Sequence, residues 1–340
     1  MDDHAAKVIF DLVARQYSLG NILRIRPVKK GSHGRSFELL TLEKSYLLLL
    51  LPSGPGEPDS VPYREMGQLL RQLVRRSFPV PLIHYTETHD LAVRTDGGAG
   101  EWIQLYDFPD GAGIAPGKLK PRQAAEIGLK LAWGHQILSD LYPDCRGGRV
   151  GWLANIPEQR RRLRRLRRQV LAEDTNEQAK ELAATLQFQD LALEVLEPTR
   201  KIFAGFSHQR VHGDPNLDAF LFGGSGTIVN ILDWTRTERG LPVLELAETL
   251  MNCCTDSTGR LEANAARSMV AAYCSMNALP ARTFRRMMDL WLISQLGGPP
   301  PGDEPHRLES VVLSSKRLQQ VQRLWRVRDM VAQVLEEAAV

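Results

Sequence analysis

The sequence predicts an α+β fold in which a small β-rich N-terminal region is followed by a large, mostly helical remainder. Three observations predict it. Short apolar runs with strand character fill much of the first hundred residues. From Pro121 onward, apolar residues recur mainly at helical spacing. Between residues 211 and 233 this helical pattern gives way to two apolar runs on either side of a glycine-rich turn.

Composition is consistent with a globular protein of one large domain or two lobes. The chain has 340 residues, of which 43% are hydrophobic and 24% charged. Its net charge of +3 is too small to imply a polyanionic partner by itself. The four cysteines form no C-x-x-C pair, and the acidic start has no signal-peptide layout. We therefore expect a reducing, cytoplasmic location and no transmembrane segment.

The N-terminal region is predicted to contain two helices and five strands. The elements are a helix at 5–17, strands at 22–28, 37–40 and 46–51, a helix at 64–76, and a hairpin of strands 91–94 and 102–108. A turn that contains Gly31, Ser32, Gly34 and Arg35 joins the first two strands. Glycines in such a turn let backbone N–H groups approach a phosphate closely, although many such turns only join strands.

The rest of the chain is predicted to be helical at 124–141, around 160–168, and at 178–206, 261–278, 281–296 and 308–337. His135 lies on the apolar first helix of this set, where a packing role is the default interpretation. Residues 160–168 read RRRLRRLRR, with Leu163 and Leu166 in a thin apolar stripe. This pattern predicts a solvated amphipathic helix, and its alternative interpretation is a surface for an anionic ligand.

The residues that indicate a functional site lie at 211–233, where the helical pattern is interrupted. Val211 is followed by His212-Gly213-Asp214, then strands 219–222 and 228–232 flank Gly223-Gly224-Ser225-Gly226, and Asp233-Trp234 follow. Because a hairpin brings its two ends together, we expect Asp214 and Asp233 to meet. Two adjacent carboxylates repel each other unless a cation lies between them, and Mg²⁺ prefers such oxygen ligands.

These motifs together resemble the aminoglycoside phosphotransferase/choline kinase-like superfamily. The resemblance rests on the H-G-D loop, the hairpin that ends in Asp-Trp, and a later match at Gly240, Pro242 and Glu245-Leu246-Ala247. It implies a bilobal protein-kinase-like fold, with a β-rich N-lobe at 1–106 and a helical C-lobe at 107–340. In such a C-lobe the last helices form the acceptor side. The family usually has Asp where Glu245 stands. In the family, that Asp ties the loop to the helix.

The resemblance also implies roles for single residues. Asp214, in the same motif as His212, would act as the catalytic base on a substrate hydroxyl, and Asp233 would hold Mg²⁺ on the nucleotide phosphates. The glycine turn would cover the nucleotide. The segment from Gln104 through Tyr106 to Phe108 would be the hinge that meets adenine. The implied cofactors are ATP and Mg²⁺, and the implied partners are a nucleotide and a small-molecule acceptor.

Two positions depart from the family pattern. Leu49 stands where a strand lysine grips the nucleotide phosphates, and Ala219 stands where an asparagine ligates the metal. Lys44 cannot replace that lysine, since five residues along a strand is about 16 Å and an odd spacing reverses the face. Arg35 could offer a charge instead. Asp218, or less readily Asn216, could replace the asparagine.

Two functions therefore stay open from the sequence. The chain is either an atypical ATP-dependent kinase of a small-molecule hydroxyl, or a pseudokinase that binds a protein partner. Loss of both phosphate-holding groups favours the pseudokinase. Retention of His212, Asp214 and Asp233 favours the kinase.

Overall fold

The computed structural model describes residues 3–28, 34–52, 61–95, 101–143, 155–173, 176–203, 206–256, 260–296 and 313–338. Contacts between residues divide the chain into two compact units. The first comprises the chain up to Ile114 together with Asp218–Thr237, and the second comprises Ala115–Leu217 and the chain from Glu238 onward.

The first unit is built on a five-stranded antiparallel sheet in the order β1-β2-β3-β5-β4. Its elements are helix α1 (Asp3–Gln16), strands β1 (Arg24–Pro27), β2 (Arg35–Leu40) and β3 (Ser45–Leu51), helix α2 (Val61–Arg75), and strands β4 (Val93–Arg94) and β5 (Trp102–Asp107). Alternate side chains of β3 pack on α1: Tyr46, Leu48 and Leu50 share a buried cluster with Ile9 and Val13. This alternation leaves Leu47 and Leu49 on the opposite face of the strand.

The hairpin of strands β7 (Phe220–Phe222) and β8 (Ile228–Ile231) belongs to the same unit. A 3₁₀ turn at Leu217–Ala219 precedes it, and a second at Trp234–Arg236 follows it. Main-chain hydrogen bonds attach the hairpin to the rest of the unit. The N–H of Ile231 donates to Pro79 O at 2.7 Å, and Phe222 and Ala112 exchange two bonds of 2.9 and 3.0 Å.

The second unit is mostly helical. Its elements are α3 (Pro121–Leu141), α4 (Ile156–Glu173), α5 (Glu177–Leu196), α6 (Thr199–Phe203), strands β6 (Gln209–Val211) and β9 (Glu238–Gly240), and helices α7 (Pro242–Cys253), α8 (Ala263–Cys274), α9 (Ala281–Leu296) and α10 (Ser315–Ala338). β6 and β9 pair antiparallel. Helices α3 and α8 lie so close at Gly128 that a Cβ there would overlap the main-chain carbonyl of Met269. The close packing of these helices therefore depends on a glycine.

Most predicted elements are confirmed to within a few residues, including the antiparallel pairing of 91–94 with 102–108. The region predicted to be helical at 178–206 forms two helices, because α5 ends at Leu196 and α6 begins at Thr199. Pro198 lies between them, and proline cannot donate the hydrogen bond that would continue a helix. In the parts of the chain that the structure describes, no helix is long and apolar enough to cross a membrane.

Candidate active site

The loop that follows β6 is held by a buried carboxylate from helix α7. Oε1 of Glu245 accepts the N–H of Gly213 at 2.6 Å, and Oε2 accepts the N–H of His212 at 3.2 Å. Glu245 is buried, and its helix follows β9, the partner strand of β6. Glu245 thus ties the loop to helix α7, which is the role that the resemblance gives to the Asp usually found at this position.

His135 and Tyr273 extend this arrangement into the core of the second unit. His135 is buried; its Nε2 lies 2.8 Å from Oε2 of Glu245 and its Nδ1 lies 2.8 Å from the hydroxyl of Tyr273. A carboxylate can only accept, so Nε2 of His135 carries a proton. Gln209 donates to the carbonyl of His135 at 2.8 Å, which fixes β6 to α3.

The charge of Glu245 is stabilised by these donors. Burial by itself would raise the pKa of this carboxyl, because desolvation penalises the charged form. The hydrogen bond with His135, the electrostatic effects of His135 and His212, and the Gly213 N–H together hold the pKa below its ordinary value. Sequence reasoning missed this role of His135, since only the tertiary structure brings together residues 110 positions apart.

Asp214 lies half-buried at the end of the braced loop. Its N–H donates to Nδ1 of His212 at 3.3 Å, and the amide of Asn216 donates to its Oδ1 at 3.3 Å. A ring nitrogen that accepts carries no proton, so His212 presents its proton at Nε2. His212 thus acts on the main chain of Asp214 and helps to fix the position of that residue.

The hairpin delivers Asp233 in the first unit. Asp233 adopts a left-handed backbone conformation, with φ of 60° and ψ of 59°, which non-glycine residues adopt rarely and mostly where the surroundings impose it. Thr235 donates to its Oδ1 at 2.6 Å. The next residue, Trp234, is buried; it donates from Nε1 to Ile231 O at 3.0 Å and packs edge-on against Phe78. The turn that displays this carboxylate is therefore firmly fixed.

Asp218 provides a second carboxylate at the open end of the hairpin, in the same unit as Asp233. The N–H of Leu232 donates to Ala219 O at 2.8 Å, so Asp218 and Asp233 flank a hydrogen-bonded pair of residues. Asp218 is exposed, whereas Ala219 is buried. Carboxylate oxygens are the donors that Mg²⁺ prefers, so the chemistry of this donor set fits that ion. Among the described residues, no group of three or more His, Cys, Asp or Glu side chains is arranged to hold a metal.

The strand position that would carry a lysine is apolar. Leu49 is half-buried on β3, with Ser36 opposite it on β2 and Gln104 opposite it on β5. Lys44 instead forms an ion pair with Asp107, which His84 also contacts at 2.9 Å. The side chain of Lys44 is thus engaged at the end of the sheet, in agreement with the expectation that it does not substitute at position 49.

The predicted nucleotide-covering turn is described only in part, since Gly31 and Ser32 lie outside the described residues. Gly34 lies so close to the carbonyl of Leu50 that a side chain would not fit. The guanidinium of Arg35 forms an ion pair with Glu101 at 2.5 Å, and its side chain remains 40% exposed. A phosphate would therefore have to compete with Glu101 for Arg35.

The predicted hinge is held by internal hydrogen bonds. The amide of Gln104 is fully buried and donates to the carbonyls of Tyr63 and Leu91, while Tyr106 donates to its Oε1 at 2.7 Å. The N–H of Phe108 donates to Ser45 O at 3.2 Å. The side chains of Gln104 and Tyr106 therefore support the end of β5, and adenine recognition by this segment stays a prediction.

The arginine-rich segment lies on helix α4, which packs on α5. Arg160 is mostly buried and pairs with Asp190 and Glu194 of α5, each at 2.9 Å, and Arg164 pairs with Asp190 at 2.8 Å. Arg161 pairs with Glu158 on its own helix at 2.5 Å. Leu163 is buried beneath them. These contacts agree with an amphipathic helix whose arginines are partly neutralised by its neighbour, and an anionic ligand there stays a prediction.

The antiparallel sheet at the N-terminal end of the chain and the helical remainder are those of a protein-kinase-like fold. The chain belongs to the phosphotransferase enzyme family, whose pattern it matches over residues 24–288. It is 24% identical over 267 residues to homoserine kinase of Pseudomonas aeruginosa, a match that covers 78% of this chain and 76% of that protein.

Solved structures confirm the fold. A spectinomycin phosphotransferase bound to ADP and spectinomycin aligns with a TM-score of 0.61 at 15% identity, over 98% of each chain. A microcompartment-associated aminopropanol kinase aligns with a TM-score of 0.62 at 14% identity, over 96% of this chain and 99% of that one. The predicted superfamily and α+β fold class are therefore confirmed.

Proposed function

We propose that the protein transfers the terminal phosphoryl group of ATP to the hydroxyl of a small molecule. The observation that carries this proposal is the loop from His212 to Asn216. A buried carboxylate, two main-chain N–H groups and an imidazole cooperate to hold one half-buried carboxylate, that of Asp214. Membership in the phosphotransferase family supports the same reaction.

Asp214 is the base in this proposal. Its carboxylate would accept the proton of the acceptor hydroxyl and orient the oxygen toward the phosphorus. Positioned general base catalysis accounts for about 10²–10⁴-fold in rate, which is a small part of what a kinase needs. The remainder comes from positioning and charge neutralisation.

Asp233 and either Asp218 or Asn216 would hold Mg²⁺, which when bound neutralises charge on the nucleotide phosphates. The fixed left-handed turn at Asp233 supports this role, because the carboxylate is positioned before any ligand arrives. The backbone near Gly34, with Arg35 when it leaves Glu101, would contact the phosphates. The segment from Gln104 through Tyr106 to Phe108 would meet the adenine. His212 would serve as a positioning residue.

Amino alcohols are the first acceptors to test. Two of the similar proteins are named for homoserine and aminopropanol, which each carry an amine and a hydroxyl group. The low identities leave the acceptor of this chain as part of the proposal.

Thermal unfolding with Mg-ATP, Mg-GTP and each nucleotide without metal tests the function. A ligand that binds only the folded state adds about 2.7 kcal/mol at one hundred times its dissociation constant. We expect a magnesium-dependent rise in Tm for the natural protein and its loss in Asp233→Asn. Asp140→Asn, which changes an exposed carboxylate on α3, is the matched control and should retain the rise. Phosphorylation of an amino alcohol by the natural protein, and its loss in Asp214→Asn, would support the proposed reaction and the role of Asp214.

A pseudokinase is the second candidate, and one observation favours it. The groups that would grip the phosphates are replaced by Leu49 and Ala219, and neither side chain can bind phosphate or metal. Binding of a protein partner would then replace catalysis as the function. Absence of any nucleotide-dependent change in Tm, with or without magnesium, is the result that would select this candidate.

A further inference from the structure

Two arginines face each other across the small sheet of the second unit. Arg210 of β6 and Arg239 of β9 are direct cross-strand partners in the antiparallel register. Side chains of such a pair project to the same face, with Cβ atoms about 5 Å apart. Like charges placed directly opposite destabilise a pair of strands. This arrangement is costly unless another group offsets it.

Three nitrogens of this pair are buried without a hydrogen-bond partner among the described residues. They are Nε of Arg210 and both Nε and Nη1 of Arg239. Neither guanidinium forms an ion pair with any described residue. Arg210 has one compensating contact, with the ring of Tyr142 at 5.0 Å from its centroid, at the end of α3. Burying an unpaired polar group costs about 1–3 kcal/mol, and more when the group is charged.

His208 adds a third group to the cluster. Its Nε2 is also buried, and no group in the described part of the chain forms a hydrogen bond with it. Burial and the nearby positive charge of Arg239 lower the pKa of this imidazole below its ordinary value. His208 directly precedes β6 and lies two residues before Arg210 in the chain. All three residues are half-buried, so part of each residue is exposed to solvent while the nitrogens named above are enclosed.

We propose that Arg210, Arg239 and His208 form a binding site for a phosphate group. A dianionic phosphate offers enough acceptor oxygens for two guanidinium groups and an imidazole, and its charge removes the repulsion between the arginines. A carboxylate has one charge and two oxygens, so it satisfies one arginine well and leaves the other. The site is independent of the nucleotide site, since it uses neither Asp214 nor Asp233.

The two strands of this site adjoin the H-G-D loop and the helix that holds that loop. β6 leads directly into His212-Gly213-Asp214, and β9 leads through Leu241 into the helix that carries Glu245. An anion that holds the two strands together would stabilise both attachments of the loop. The expected consequence is a regulatory or structural phosphate, supplied as inorganic phosphate or as a phosphomonoester.

The test is thermal unfolding of the full chain in a buffer without oxyanions, with inorganic phosphate, glycerol 3-phosphate or acetate added. We expect phosphate to raise Tm by on the order of 4 °C at one hundred times its dissociation constant, and acetate to act far less. A response to inorganic phosphate alone, or a stronger response to the monoester, identifies which source the site prefers.

Arg210→Gln and Arg239→Gln make the test specific. Each should abolish the phosphate response, and without anion each should melt at or above the natural temperature because the repulsion is gone. Arg122→Gln removes an exposed arginine from α3 and should change neither property. If the arginines are purely structural, both variants will melt lower and phosphate will have no effect on the natural protein, which overturns the proposal.

Asp233→Asn separates this site from the proposed nucleotide site. This variant should keep the phosphate response and lose the magnesium–nucleotide response. Arg210→Gln should lose the phosphate response and keep the magnesium–nucleotide response. A phosphate response that disappears in Asp233→Asn but survives in Arg210→Gln would place the anion at the nucleotide site and contradict the proposal. Failure of the kinase function alone would leave the phosphate response unchanged.

Discussion

Glu245 stands where the family pattern has aspartate, and its carboxylate connects three residues of the second unit. Glutamate is one methylene longer than the aspartate that the pattern carries, and its two oxygens contact Gly213, His212 and His135. The sequence indicated the attachment of the loop to α7, because the residue falls within a recognisable motif. It did not indicate the link to His135, because nothing local to residue 135 distinguishes a packing histidine from a bridging one.

This carboxylate should make stability depend on pH. Because the pKa of Glu245 is lower in the folded state, its contribution is present at pH values above its unfolded pKa. That contribution is lost as pH falls through the folded pKa. Glu245→Gln should therefore cost about 1–3 kcal/mol of unfolding free energy at pH 7. The difference from the natural protein should shrink below about pH 4.5, as followed by urea denaturation at several pH values.

The matched control is Glu181→Gln, which changes an exposed glutamate on α5. It should leave the unfolding free energy within about 0.5 kcal/mol of the natural value throughout. A Glu245→Gln deficit that stays constant down to acid pH would show that the charge of this carboxyl is not what stabilises the loop.

At the scale of elements, the contact of α3 with α8 depends on the missing side chain of Gly128. Ala124, Ile127 and Ala132 of α3 are buried, as are Ala266 and Met269 of α8. Small residues let two helices approach closely, and at Gly128 the approach reaches the backbone of Met269. A carbonyl of the main chain cannot swing aside as the end of a flexible side chain can.

Gly128→Ala is therefore expected to destabilise the protein although it improves helix propensity. Alanine is favoured over glycine in a helix interior by about 1 kcal/mol. Overpacking typically costs about 1–3 kcal/mol, and here the clash is with main-chain atoms, so the net effect should be a loss. Ser139→Ala, at an exposed position of the same helix, should be neutral or slightly stabilising in the same denaturant titration. A Gly128→Ala variant more stable than the natural protein would contradict this packing.

At the scale of the whole molecule, the same fold is compatible with two functions, that of a kinase and that of a pseudokinase. The residues that decide between them, Leu49 and Ala219, lie 170 positions apart in the sequence, yet both belong to the first unit. Leu49 lies on the face of β3 away from α1, and Ala219 supports the open end of the hairpin. Neither position is part of the buried cluster around α1, so polar residues at these positions need not disrupt that core.

The double variant Leu49→Lys with Ala219→Asn should strengthen binding of Mg-nucleotide. Lysine at position 49 can extend its ammonium from a half-buried strand position while its methylenes pack as leucine does. Asparagine at 219 adds an oxygen ligand for the metal. We expect about a tenfold or greater decrease in the dissociation constant for Mg-ATP by isothermal titration, which corresponds to about 1.4 kcal/mol.

The control for this gain is Leu47→Lys with Ala219→Asn. Position 47 lies two residues before position 49, on the same face of β3. It should bind no better than Ala219→Asn alone. A double variant at 49 and 219 that folds normally but binds nucleotide no better than the natural protein would contradict the view that these two losses limit the site.

The sequence determined the order and type of most elements, the hairpin before Asp233 and the family. It did so because hydrophobic periodicity, glycine turns and proline are local signals that act through backbone geometry and side-chain spacing. The tertiary structure decided which distant residues meet: His135 with Glu245, Gln104 with Tyr63, and Arg210 with Arg239. Those contacts follow from strand register and helix packing, which depend on the whole chain. The sequence next to each residue therefore contains no pattern that indicates its distant partner.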